Sequence, residues 1–534
     1  MTTKPAGFPF WVLPLAVSAV IALTYVPSNF VGGFHDDGVY LVTAKALAEG
    51  KGYTIESLPE PIQQTKYPIL FPALLSLVWS LWPNFPDNIP LLRLIPMAAA
   101  AAWGWALWRL VGVAWNRPAE ARWLVPLVMS CPMVIYLAAI PLSETLFAFL
   151  CTCSILVLWK AGQSSEEAIR QPLLAAIVCA AAFHTRTMAL SLLPCAVLAM
   201  PPWKRPQQFG LFGIVLLALC APWWTWLHRN PASADPVVAF YTKANYSMWN
   251  SLSSQSTAQP MAILQHNAGR MTVGAATFWN LPRNSVTLLF CLAVTLLASA
   301  GLVKQLFRQE ALGAAWALAT ISMILFWSWP PERFLAPVLP FVVLAVPHAV
   351  PSSWMRRLQK PARLFAILFI AWGLGMCIHY AVKTTKAGLP HGPLIEGDVT
   401  WQDHRQAYEW IRAKTPPAAV VSSNLDPNYW LYSGRKAIRA FSIDPVKLYY
   451  RPDELEGALG LPQNLVDLLK RWRVDYLAVE QSKIFREIEP FMGQIRALRE
   501  THPAFLTVAF ESDNKLVTIY KVNWPGLSHG TESR

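Results

Sequence analysis

Four groups of ionisable side chains interrupt an otherwise apolar chain. The stretch "GGFHDDGVYLVTAKALAEGKGY" sets Asp36 beside Asp37 directly after a hydrophobic run. "TKYPILFP" places Lys66 and Tyr67 ahead of a second run, and "AIPLSETLFAFL" puts Glu144 at the head of a third. Arg186 in "FHTRTMAL" and Arg333 in "WPPERFLAPVLPF" stand at the ends of apolar segments. An ionisable group at or near lipid is costly, so each is a functional candidate by default. Acids and cations together at one membrane face suit a lipid-linked phosphate. Cations hold the phosphate and stabilise the charge that develops on it as it leaves. A carboxylate takes the proton of an attacking hydroxyl. Two adjacent acids equally suit a divalent metal such as Mg or Mn, which would neutralise part of the phosphate. The residue types leave both uses open.

Each group also has a plainer reading. Asp36 and Asp37 can cap the helix expected for "VYLVTAKALAEG", ended by Gly50. Lys66 and Tyr67 can anchor the chain at the membrane interface. Ser143 or Glu144 can cap a helix, and the arginines can snorkel. Glu144 has no basic neighbour in sequence and Arg186 lies between two short apolar runs. Capping and snorkelling explain these two poorly.

The elements that must position these residues are membrane helices. Of 534 residues, 54% are hydrophobic and 14% charged, where a soluble domain carries about 25% charge. The mean hydropathy is +0.34. Apolar segments recur at 8–27, 67–82, 90–113, 122–139, 142–159, 171–184, 187–200, 209–228, 284–303, 311–329, 334–350 and 364–381. Loops rich in Lys and Arg should face the cytoplasm. They are Arg109 to Arg122, Lys160 to Arg170, Lys204–Arg205, Lys304 to Arg308, and Arg356 to Arg363. With Lys4 and these loops inside, residues 28–66, loop 229–283, Glu144, Arg333 and the C-terminal region fall outside. The scheme requires that 67–82, which carries Pro68 and Pro72, be juxtamembrane or re-entrant. It also requires 171–184 and 187–200 to be short crossings that meet outside at "HTRT". The expected fold is a polytopic α-helical membrane protein of about eleven transmembrane helices.

The net charge of +13 reads as this loop bias rather than as a nucleic-acid surface, since no RNA- or DNA-binding motif is present. The cysteines (Cys131, Cys151, Cys153, Cys179, Cys195, Cys220, Cys291, Cys377) all lie in apolar segments. Disulfides and a zinc site are not expected. The N-terminal run lacks a small-residue cleavage site and reads as a retained first span.

After Ala381 the pattern changes to ordinary charge with mixed helix and strand signals, giving an α/β domain over 382–534 behind a membrane domain over 1–381. "WQDHRQAYEWIRAKTP" is helical up to Pro416–Pro417, "AAVVSS" and "VDYLAVE" read as strands, and "NYWLYSGR" as a short helix closed by Gly434. "LTVAFES" and "KLVTIYKV" form a hairpin around Asp513–Asn514. No Gly-rich phosphate loop follows the first two strands. The aromatics Trp401, Tyr408, Trp410, Tyr429, Trp430 and Tyr432 either stack on sugars or form the core.

The acidic pair after the first span, "Y…A..L..G.GY", "KYPILFP", Arg93 at a helix start, "P.SE..F", "TR" and "ERFLAPVLPF" together resemble the GT-C superfamily of membrane glycosyltransferases. The nearest type is the dolichyl-phosphate-mannose protein mannosyltransferases, including the lipid A aminoarabinose transferases. The resemblance covers roughly residues 8–350 and rests on motif order and spacing. It implies transfer of a sugar from a polyprenyl-phosphate donor to a protein, lipid or glycan acceptor on the extracytoplasmic face of a bacterial inner membrane. It implies Asp36 as general base or metal ligand, with Asp37 where many relatives have Glu, and Glu144 as the acid of the second external loop. It implies Lys66, Arg186 and Arg333 as donor-phosphate ligands. Two other classes stay open. A transporter or flippase of lipid-linked saccharide would set its ionisable residues at mid-membrane between repeated halves. A surface-polysaccharide polymerase or ligase would load its large external loop with cations, and 229–283 holds Arg229, Lys243, Arg270 and Arg283.

Overall fold

The structure, a computed structural model, describes residues 30–525 apart from 166, 234, 243–257, most of 389–398, 444, 451–458, 460 and 483–485. The expected first span 8–27, with Lys4, and loop residues Lys243 and Tyr246 lie outside the described residues.

Six described helices are long and apolar enough to cross a membrane: Ile89–Ala114, Glu144–Gln163, Pro206–Arg229, Ser285–Gln305, Glu332–Ala349 and Lys360–Lys386. A seventh candidate, Pro118–Met129 with Pro132–Ala139, is bent by 59°. Pro132 cannot continue the hydrogen-bond ladder and holds Cys131 extended, so the segment breaks there. Several expected spans are shorter helices. Arg170–Thr185 has 16 residues, and Ala311–Leu325 stops ahead of Pro330 and Pro331. The run at 187–200 is a 3-10 turn, Thr187–Leu192, followed by Leu193–Ala199. Leu70–Leu81 has 12 residues, about 18 Å of helix, too short to span. The longest helix, Ser352–Ala387, overruns its expected span 364–381 at both ends.

The helices pack closely where one side chain is absent. A Cβ on Gly301 would run into the Ala345 carbonyl of the neighbouring helix, and one on Gly373 into the Ser130 carbonyl at the bend. The loops placed on one side do meet. Arg117 pairs with Glu120 at 2.9 Å and with Glu310, and Arg205 donates to the Ser164 carbonyl at 3.1 Å.

The C-terminal strands form one five-stranded sheet in the order Lys436–Ile438, Val420–Ser422, Tyr476–Glu480, Val517–Val522, Leu506–Glu511. The first three strands run parallel and the last two antiparallel. The hairpin register shifts between Val508 and Phe510. Helix Trp401–Lys414 starts on a capping box between Thr400 and Asp403 and ends at Thr415, before the proline pair. Tyr408 and Tyr429 are core residues; Tyr408 stacks on Tyr432 at 4.8 Å. Trp430 lies under the Lys45 ammonium at 4.6 Å. These aromatics serve packing.

The sheet region seats directly on the segment after residue 30. The Val31 amide donates to the Tyr432 hydroxyl at 3.2 Å, and the Ala437 amide donates to the Ser57 carbonyl at 2.8 Å. Gly32, at φ 85°, and Gly38 leave the space that Asn428 and Pro427 fill.

Candidate active site

Helix Asp36–Ala48 opens with its two acids in the first turn, where the helix dipole favours them. They do different work. Asp37 turns to its own chain: Oδ2 accepts the Gly32 amide at 2.7 Å and Oδ1 the Phe34 amide at 3.0 Å. Burial pushes its carboxyl up to about 6. The neighbouring Asp36 charge acts the same way, and the two amides act against it. Asp36 faces away from the loop. Its Oδ1 accepts the Tyr67 hydroxyl at 2.5 Å and its Oδ2 pairs with the Arg333 guanidinium. Burial alone would raise the Asp36 carboxyl. Arg333, Lys66 and the hydrogen bonds from Tyr67 and Arg333 outweigh it and hold the carboxyl well below the usual range.

Three distant segments deliver the other charges. Glu144, 2% exposed, heads the helix Glu144–Gln163. It pairs with Arg186 at 2.6 Å and lies 3.5 Å from the Arg333 Nε. Arg186 is the extended residue between the helix ending at Thr185 and the 3-10 turn from Thr187, which directs its side chain inward. Arg333 sits in the first turn of Glu332–Leu335, after Pro330–Pro331. Asp36, Glu144, Arg186 and Arg333 thus form one continuous ion-pair chain, with the Phe334 ring 5.1 and 4.9 Å from the two guanidinium carbons.

Lys66 joins from the loop after the small hairpin Thr54–Ile55/Ile62–Gln63. Its Nζ donates to the Phe240 carbonyl at 3.2 Å and lies 4.3 Å from the Phe240 ring. Burial pushes its ammonium down to about 7. Asp36 opposes the shift, and Arg439 and Arg333 add to it. All six residues singled out from the sequence therefore lie at this end of the helices, five in the charged cluster and Asp37 behind it.

The two acids proposed from the sequence as a metal pair are each engaged by protein groups. Asp37 spends both oxygens on amides and Asp36 is engaged by Arg333 and Tyr67. No three His, Cys, Asp or Glu side chains converge among the described residues.

Several contributors carry little sequence signal. His35 sits at φ 65°, its Nε2 3.0 Å from Asp426 Oδ1 of the sheet region. A polar residue beside the acidic pair was the available clue. Arg439 follows a three-residue strand, too short to recognise. Its guanidinium also lies over the Phe240 ring, at 4.2 Å, and pairs with Glu487 at 3.1 Å. Its amide donates to the Tyr241 hydroxyl at 2.8 Å. Phe240 and Tyr241 belong to helix Pro236–Tyr241 of the long loop. Arg270 of the same loop pairs with Glu332 at 2.5 Å.

No family model and no curated protein matches the chain. Solved structures do. ArnT from Cupriavidus metallidurans bound to undecaprenyl phosphate superposes with a TM-score of 0.58 at 13% identity, covering 96% of this chain and 98% of that one. The apo state of the same protein gives 0.56 at 13%, covering 95% and 97%. The archaeal oligosaccharyltransferase AglB from Archaeoglobus fulgidus, in complex with an inhibitory peptide and a dolichol-phosphate, gives 0.57 at 12% identity, covering 96% of this chain and 74% of that one. The chain therefore has the fold that these GT-C superfamily members share.

Proposed function

We propose that this protein is a glycosyltransferase that moves a hexosyl or pentosyl group from a polyprenyl-phosphate donor to a hydroxyl of a protein, lipid or glycan acceptor. The reaction takes place on the extracytoplasmic face of a bacterial inner membrane. In this reading about eleven helices span the bilayer and residues 382–534 cover the catalytic face. The observation that carries it is the cluster of Lys66, Arg186 and Arg333 against two acids, Asp36 and Glu144, at one end of the helices. Lys66, Arg186 and Arg333 together offer a phosphate a cationic seat beside a carboxylate.

The donor phosphate takes that place, on Lys66 and Arg333. Drawing Arg333 toward phosphate relieves Asp36 of the charge that keeps it weakly basic. Asp36 then accepts the proton of the acceptor hydroxyl as its oxygen bonds to the anomeric carbon and polyprenyl phosphate departs. Glu144 holds Arg186 and Arg333 in place. The structural neighbours bound to undecaprenyl phosphate and dolichol-phosphate support the class of donor.

The test is transfer by purified protein from a panel of polyprenyl-phosphate sugars, with and without a chelator. Release of polyprenyl phosphate by wild type, unaffected by chelator and absent in Asp36→Asn, is the expected result. No release with any donor, together with movement of lipid-linked saccharide across liposomes, would establish a transporter instead.

A further inference from the structure

A second feature runs along the helices, from Leu335 near the Asp36 site to the opposite end. Bent helix Pro118–Met129 and helices Ser285–Gln305, Leu339–Ala349 and Ser352–Ala387 enclose a groove of about 1360 Å³. It exceeds the roughly 300–1,000 Å³ of an ordinary small-molecule pocket. Its walls are apolar, with Phe290, Phe365 and Phe369 along one side and Leu302, Val342 and Val346 along another. Its polar end carries four cations, Arg117, Lys304, Arg308 and Arg363, and one carboxylate, Glu120. Arg117 is answered by Glu120 and Glu310. Lys304 donates to the Ala349 carbonyl at 3.0 Å. Among the described residues, no carboxylate pairs with Lys304, Arg308 or Arg363.

These cations are not part of the Asp36 site. Arg333 occupies the first turn of the 18-residue segment Glu332–Ala349, and Lys304 meets its last residue. At about 1.5 Å per residue the two ends are some 25 Å apart, most of a bilayer's hydrocarbon thickness.

We infer that this groove is a binding site for an anionic phospholipid. The acyl chains lie against the phenylalanines, and the headgroup phosphate sits on Lys304, Arg308 and Arg363. Charge complementarity selects the occupant: an apolar trough opening between membrane helices takes lipid chains, and three cations without carboxylates at its mouth discriminate against zwitterionic headgroups. The headgroup cations lie at the end of the helices opposite the proposed donor phosphate, while the apolar wall extends to Leu335, two residues after Arg333.

The experiment reconstitutes the full chain in phosphatidylethanolamine nanodiscs doped with phosphatidylglycerol, re-extracts the protein, and quantifies retained lipid by mass spectrometry. Wild type should enrich phosphatidylglycerol about tenfold over the bulk ratio. The triple variant Lys304→Gln/Arg308→Gln/Arg363→Gln should lose that enrichment. Ser299→Trp, which fills the groove without changing charge, should lose it too. The control Lys160→Gln/Arg170→Gln, on loop cations away from the groove, should keep it. Equal retention by wild type and triple variant, or retention of polyprenyl phosphate in place of phospholipid, overturns the inference.

Discussion

Two clusters built from the same residue types sit at opposite ends of the helix bundle. At one, Arg117 meets Glu120 and Glu310, with His348 3.7 Å from Glu310 and Gln305 3.2 Å from His348. Here the single arginine meets two carboxylates, Glu120 in the first turn of its own helix and Glu310 from a separate loop. At the other, Asp36 and Glu144 face Arg186, Arg333 and Lys66. Burial and ion pairing are common to both. The composition differs: one arginine is held between two carboxylates in the first, and three cations gather about two carboxylates in the second.

Mutations at matched positions sharpen that contrast. The largest effect is expected from Asp36→Asn, which removes the proposed base and should lower transfer by about 10²–10⁴-fold while the protein elutes and melts as wild type. Glu310→Gln, its counterpart in the clamp, should leave turnover per folded molecule unchanged and lower the melting temperature. A folded, inactive Glu310→Gln would break the comparison. Next, Arg333→Ala should reduce kcat/KM by about 10²–10³-fold, whereas Arg117→Ala should cost stability of about 1–3 kcal/mol, read by thermal denaturation in detergent.

Third comes a pH effect. The Lys66 ammonium is pushed down to about 7, and only its charged form holds phosphate. In the free enzyme kcat/KM should therefore fall as pH rises through about 7. Lys66→Arg, which stays charged, should flatten that limb in a pH–rate profile. The smallest effect is expected from Asp37→Asn. Its amide oxygen can still accept one of the two backbone N–H groups, at a cost of about 1–3 kcal/mol for the unmade bond. Transfer should survive. If Asp37→Asn abolished transfer and Asp36→Asn spared it, the roles assigned to the two acids would be reversed.

The sequence makes the charged site legible because lipid is unforgiving: Asp36, Lys66, Glu144, Arg186 and Arg333 stand out wherever their neighbours are apolar. The difference between Asp36 and Asp37 is invisible in it, since it depends on the turn at Gly32 that brings the Gly32 and Phe34 amides onto one carboxylate. Continuous hydropathy hides the points where prolines break the helices, as at Pro132 and ahead of Pro330. In the sheet region the long strands and the capped helix carry clear periodicity. The three-residue strand Lys436–Ile438 does not, and Arg439 is hidden with it.

The seat between the sheet region and the first turn of helix Asp36–Ala48 constrains any attempt to treat this protein as two exchangeable parts. Asn428 and Pro427 occupy the space left by Gly32 and Gly38, and Asp426 holds His35 in its left-handed conformation one residue before Asp36. A chimera that carries a foreign C-terminal region must therefore bring a matched loop 30–38 with it. Modularity ends at that seam: without its partner the membrane region has no completed loop before Asp36 to lend.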